Sequence, residues 1–167
     1  MPTLLSILEA HWVMALALPD VADADDGAPQ PYPAPLFYAL ARPDSIGEHT
    51  APLLIFTGSP NSHHSELIGD APTPAAAALY LETETVGSIR GAQLRGLALC
   101  ASCCTPGAQA GLRRTYLARH PIAHSALEGG HHQLYALQIT WAKLTDNKLG
   151  FGVHPSGSFD AAWTGLA

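Results

Sequence analysis

Residues Ala75 to Ala101, AAAALYLETETVGSIRGAQLRGLALCA, decide the fold. The arms Ala75–Thr85 and Ser88–Ala101 alternate or run apolar on either side of Gly87, and that pattern predicts a long β-hairpin with Gly87 in its turn. Gly96 interrupts the second arm, where a glycine inside a strand marks a bulge. No regular strand–helix–strand alternation surrounds the hairpin and no internal repeat is visible, so the strands are expected to pair antiparallel.

Upstream, Leu36–Ala41 and Leu53–Thr57 read as strands separated by a polar stretch, an antiparallel meander. Trp12–Leu18 is apolar throughout and stops at Pro19-Asp20; it reads as a strand buried on both sides, with helix continuation as the competing reading. Thr3 caps a short helix through Ala10, whose face is Leu4, Leu5, Ile7 and Leu8. Asp20–Pro35, with its aspartates and four prolines, reads as a long solvated hairpin loop with a disordered tip. After Thr57 the phrase GSPNSHHSELIG places a short helix, capped by Ser62 or Asn61 and ended by Gly69.

Downstream, Pro106–His120 is the clearest helix, with Leu112, Tyr116 and Leu117 as core contacts. Leu134–Lys143 alternates as a strand, and Lys148–His154 is expected to form another after a turn at Thr145-Asp146-Asn147. The fold class that results is mainly β (α+β): a six- to seven-stranded antiparallel Greek-key split β-barrel with about three peripheral helices, forming one domain over residues 1–167.

Composition excludes several partners. The chain has net charge −6 and only two lysines, Lys143 and Lys148, against six arginines, which gives a nucleic-acid backbone no basic field. Arg90/Arg95 and Arg113/Arg114/Arg119 cluster instead, suiting local anion contacts. Only 13% of residues are charged, well below the usual share, and a large subunit interface would account for so apolar a surface. The first apolar run is broken by Glu9 and His11 and lacks a basic lead, so neither a signal peptide nor a membrane span is expected and a cytoplasmic protein is. The three cysteines Cys100, Cys103 and Cys104 make no disulfide framework.

The phrases IRGAQLRG (Ile89–Gly96), RRTYLARHPIA (Arg113–Ala123) and LTDNKLGFG (Leu144–Gly152), with Phe37-Tyr38, resemble a small uncharacterised bacterial subfamily of the split-barrel flavoproteins related to pyridoxamine 5′-phosphate oxidase. That resemblance implies a homodimer with FMN in a cleft between two barrels, its phosphate held by one subunit and its ring flanked by both. It places the phosphate at Thr57 and Ser59 on the strand end and at Ser62, His63 and His64 on the helix start. A helix start presents unpaired N–H groups, hydroxyls add hydrogen bonds, and a protonated histidine adds charge. Relatives usually carry Arg or Lys there, so the hold is expected to be weaker in this chain, especially above neutral pH. Gln93 is implied as a flavin or phosphate contact, with Arg90 and Arg95 facing the opposite side, and Tyr38 and Trp141 join the implied cofactor contacts.

Other readings stand beside these. The Ser62-His63-His64 corner also reads as a capped, solvated turn. Trp141 also suits a core or interface role, and Trp12 packing. The paired histidines and Cys100-x-x-Cys103 suggest zinc, but no second half follows at finger or ribbon spacing. No acid, base or nucleophile can be assigned. The candidate functions are an FMN-dependent oxidoreductase of unknown substrate, a non-enzymatic dimer with weak or lost flavin binding in a binding or stress-related role, and, on the nine histidines, a haem protein.

Overall fold

The computed structural model describes residues 3–21, 28–46, 51–150 and 154–159. The hairpin is present as β4 (Thr73–Tyr80) and β5 (Arg90–Cys100), antiparallel from Thr73↔Ala98 to Tyr80↔Gly91. Four alanines in a row, Ala75–Ala78, favour helix by propensity. Pro72 and Pro74 bias their neighbours to extended backbone, and pairing along both edges, with β5 and with β1 (Val13–Asp20), holds the strand. The strands are shorter than the sequence pattern predicts: residues 81–89 connect them through one 3₁₀ turn, Val86–Ser88, which contains Gly87.

The other strands are β2 (Gln30–Ala41), β3 (Leu53–Gly58), β6 (Gln133–Asp146) and β7 (Ser156–Ser158). The order is β3-β2-β1-β4-β5-β6-β7, and β3 also pairs with β6, so six strands close into an antiparallel ring with β7 outside it. Four helices surround the ring: α1 (Leu4–Ala10), α2 (His63–Ile68), α3 (Pro106–Arg119) and the short α4 (His124–Glu128), which the sequence pattern does not reveal. The expected bulge is at Arg95/Gly96, where the β5–β6 register shifts. It needs glycine because a Cβ at Gly96 would lie 2.0 Å from the Gln138 carbonyl oxygen.

Several expectations are corrected. β1 is not buried on both sides: its residues alternate, Met14, Leu16 and Leu18 buried and Val13 and Ala15 exposed. Asp20–Pro35 is not one long loop, since β2 begins at Gln30 and pairs with β1 from Asp20↔Gln30. Pro31, Pro33 and Pro35 fall on its exposed alternate positions, in the half of β2 that pairs with β1 alone, so ladder N–H groups here come only from the residues between them. The expected tip, residues 22–27, lies outside the described residues. Within the expected strand Lys148–His154, Asn147–Leu149 form a 3₁₀ turn and residues 151–153 lie outside the described residues; the last strand is β7, paired with Trp141–Lys143.

The ring is filled by Tyr38, Phe56 and Tyr135 with the aliphatic residues around them. A second apolar layer, including Leu53, Ile55, Leu112 and Tyr116, seats α3 on the outer wall of β2, β3 and β6. Thr105 caps α3 by accepting from the Ala108 N–H, with Pro106 at the first turn. At its other end, Arg119 donates to the carbonyls of Glu9 (3.1 Å) and His11 (2.6 Å) and stacks 4.1 Å over the Trp12 ring. This arginine and Trp12 are thereby used in fastening α1 to α3. No helix among the described residues is long and apolar enough to cross a membrane.

Replacing Gly96 by alanine is expected to cost at least about 2 kcal/mol, because the clash is with backbone on the neighbouring strand. Gly87→Ala, which meets nothing within 4 Å, should leave the urea midpoint almost unchanged. Equal midpoints for the two variants would contradict this bulge geometry.

Candidate functional site

The expected cofactor residues fall into two groups and one outlier. The outlier is Tyr38: it is 0% exposed and its hydroxyl donates to the Leu8 carbonyl at 2.6 Å, with the phenol pushed upward by burial. It is a core residue and offers a cofactor nothing.

The first group is the corner between β3 and α2. Ser62 stands at the N-cap position but does not cap by side chain. Its hydroxyl donates to the Ser59 carbonyl (2.8 Å) and meets His64 Nε2 (3.2 Å) and Ser65 Oγ (2.9 Å). Glycine at 58 makes this possible, since a Cβ there would lie 2.3 Å from His64 Nε2. Thr57 turns the other way, its Oγ1 3.2 Å from the Tyr116 hydroxyl. Ser59 is half-buried beside the turn, and its Oγ accepts from the Asn61 N–H at 3.4 Å.

His63 is engaged by acids: its Nε2 is 2.5 Å from Asp20 Oδ2 and its Nδ1 3.5 Å from Glu66 Oε2, with the Tyr32 ring edge-on at 4.7 Å between centroids. The hydrogen bond to Asp20, with Glu66 adding to it, raises His63 above the ordinary imidazole value of 6.5. His64 is shifted the opposite way, by burial first and by the charge of His63 second. The corner thus combines hydroxyls, one imidazole that favours its proton, one that resists it, and two carboxylates. Asp20, which the sequence pattern assigns to a loop, is the residue that sets its charge.

The second group lies on the outer wall of the ring, where alternate residues of β1, β4 and β5 are exposed among the described residues. Ala15, Ala17, Ala76, Ala78 and Pro33 make a low apolar floor with Gln93 and Trp141 at its side. Arg95 was expected to face away from Gln93, but both are exposed alternate residues of the same face. Its guanidinium sits 4.8 Å over the Trp141 ring, as cross-strand pairing of Arg95 with Trp141 allows. Two adjoining hollows of about 390 and 440 Å³ share Ala17, Ala76 and Arg95, a size that suits a small-molecule ligand. Neither hollow is lined by a residue of the corner. Arg90 is elsewhere, its Nε 3.4 Å from Asp146 Oδ2.

Cys100 and Cys104 are buried, and burial pushes the Cys104 thiol up to about 11, so it stays protonated at neutral pH. Among the described residues no three His, Cys, Asp or Glu side chains converge as a metal would require.

No protein-family model and no curated protein matches this sequence. Solved structures do. A heme binding protein from Mycobacterium smegmatis superposes with a TM-score of 0.67 at 18% identity over 91% of this chain, which spans 55% of that protein's length. A pyridoxamine 5′-phosphate oxidase-related, FMN binding protein from Nostoc punctiforme gives 0.53 at 11% identity, covering 89% of this chain and 86% of that one. A putative general stress protein 26 from Jannaschia gives 0.55 at 14% identity, covering 91% and 92%. The chain has the split-barrel fold that these proteins share.

Two-dimensional NMR of the imidazole protons should find His63 titrating above 6.5 and His64 below it. A raised folded-state value means that the Asp20 contact stabilises fully at pH below the unfolded imidazole value and is lost as pH rises through the folded one. Asp20→Asn should return His63 towards 6.5; an unmoved His63 would mean that the Asp20 contact does not set its proton.

Proposed function

We propose that the protein is an FMN-binding split barrel that works as a homodimer, each flavin ring lying on the bare outer face of β1, β4 and β5. The observation that carries this reading is the grouping of Gln93, Arg95 and Trp141 around an apolar hollow of ligand size. A flat aromatic ring system gains from the Ala and Pro floor, an indole gives it an edge or face to pack on, and an amide and a guanidinium match its carbonyl oxygens. When bound, FMN supplies the redox chemistry, so the protein need only position it and exclude water.

The dimer follows from the same surface. A face of alanines and prolines with one cation is poorly solvated in a single barrel, and a second barrel laid over it would enclose the hollow. The phosphate then belongs at Ser59, Ser62, His63 and His64 of the second barrel, since one chain does not bring its own corner to its own hollow. Thr57 completes that corner on the strand side, its hydroxyl shared with Tyr116.

Asp20 and Glu66 favour a second reading, a binding protein whose flavin is held loosely and which is not an enzyme. An incoming phosphate must share His63 with both carboxylates, and like charges close by oppose it. Haem fits less well, because neither hollow is lined by a His, Cys, Met or Tyr that could ligate iron.

Flavin fluorescence titrations test the proposal. FMN should bind with a dissociation constant in the micromolar range, roughly ten-fold tighter than riboflavin if the corner holds the phosphate. Ser62→Ala/His64→Ala should erase that difference, and Arg95→Ala should weaken both flavins. Equal affinities for FMN and riboflavin in the wild type would remove the corner from the site, and no quenching by either would remove the flavin altogether.

A further inference from the structure

One flank of α3 carries Gln109 and Arg113, one helical turn apart, beside the buried face of Ala108, Leu112 and Tyr116. Across from them stand Ser102, Leu127 and the start of β6 at His132 and Gln133, enclosing a shallow cavity of about 420 Å³. Its walls are fixed from within. Gln109 Nε2 donates to the carbonyls of Cys104 (2.8 Å) and Ser102 (3.4 Å), and the Gln133 amide donates to the Tyr135 hydroxyl.

Arg113 distinguishes this cavity from other surface hollows. Arg42 is paired with Glu9, Arg90 with Asp146, Arg119 with α1 carbonyls, and Arg95 lies over Trp141. Arg113 is half-buried, yet no described residue gives it a hydrogen bond, ion pair or ring contact. No residue lining the cavity is acidic, and Glu128, next to Leu127 on α4, is 3.3 Å from His124. Among the described residues the guanidinium has no counter-ion, which leaves its planar fork open to an anion.

We propose that this cavity is a second ligand site, separate from the flavin face, and that it takes a small amphipathic carboxylate. The planar fork of Arg113 matches two carboxylate oxygens, with a ring N–H of His132 as a further donor. The hydrocarbon part lies against Leu127, Ala110 and Leu134. A phosphate dianion would call for a second permanent cation, which the lining lacks. The site stands whether or not FMN binds at the seam.

Calorimetric titration of the full chain with sodium octanoate, 4-phenylbutyrate, acetate and octanol tests it. Octanoate or phenylbutyrate should bind, and acetate and octanol should be at least about ten-fold weaker, since each lacks one half of the recognition. Whichever carboxylate binds more tightly tells whether the natural ligand is aliphatic or aromatic. Arg113→Gln should weaken the carboxylates by about ten-fold or more, and Ala110→Phe should fill the cavity and block them, both with unchanged thermal midpoints. Arg114→Gln, on an exposed position, should bind like the wild type. FMN titration of Arg113→Gln should match the wild type, which separates this site from the seam. Octanol binding as well as octanoate, carboxylates indifferent to Arg113→Gln, or no carboxylate binding at all would overturn the proposal.

Discussion

The pairing of β3 with β6, from Leu53↔Gln138 to Gly58↔Gln133, turns a sheet into a ring, and everything functional in this molecule depends on that closure. Once closed, the ring has an interior, and Tyr38, Phe56 and Tyr135 fill it. A ligand can then bind only on the outside or at the ends. α3 occupies the outer wall over β2, β3 and β6, and α2 plugs one end with Ile68. What remains is the face of β1, β4 and β5, built from residues too small to form a ridge and too apolar to be well solvated.

Charge on this molecule is local. With 13% charged residues there is no broad field, so the setting of each ion pair decides what a patch can attract. At the corner, Asp20 and Glu66 hold a proton on His63 and at the same time lower the value of that charge to an incoming anion. On the outer face Arg95 has only the Trp141 ring beneath it, and in the α3 cavity Arg113 has no partner among the described residues. Among the described residues Arg95 and Arg113 therefore lack the carboxylate partners that His63 has.

Much of the ring was legible in the sequence. The hairpin within Ala75–Ala101, though its strands are shorter than the alternation suggests, the Gly96 bulge and the helix from Pro106 all rest on local rules, and each is present. Two strands were misjudged for opposite reasons. β1 is apolar on both faces and so looked doubly buried, although its outer residues are exposed. The first half of β2 is studded with prolines and so looked like loop, although alternate prolines fit a stretch paired on one side only. The site was less legible because it is made across strands: Arg95 meets Trp141 through β5–β6 register, and Asp20 reaches His63 from forty-three positions away. Tyr38 was assigned to the cofactor by the company it keeps in sequence, while its buried hydroxyl serves α1.

The central claim, that the uncovered face is a seam between two barrels with the flavin inside it, is tested most directly by sedimentation velocity of wild type and Ala76→Arg with FMN present. Ala76 lies exposed in the floor of both hollows, so a guanidinium there should be tolerated by the fold and rejected by the seam. The account predicts that the wild type sediments as two chains carrying flavin absorbance, and that the variant sediments as one chain without it. A variant that stays paired, or a single chain that keeps its flavin, would contradict it.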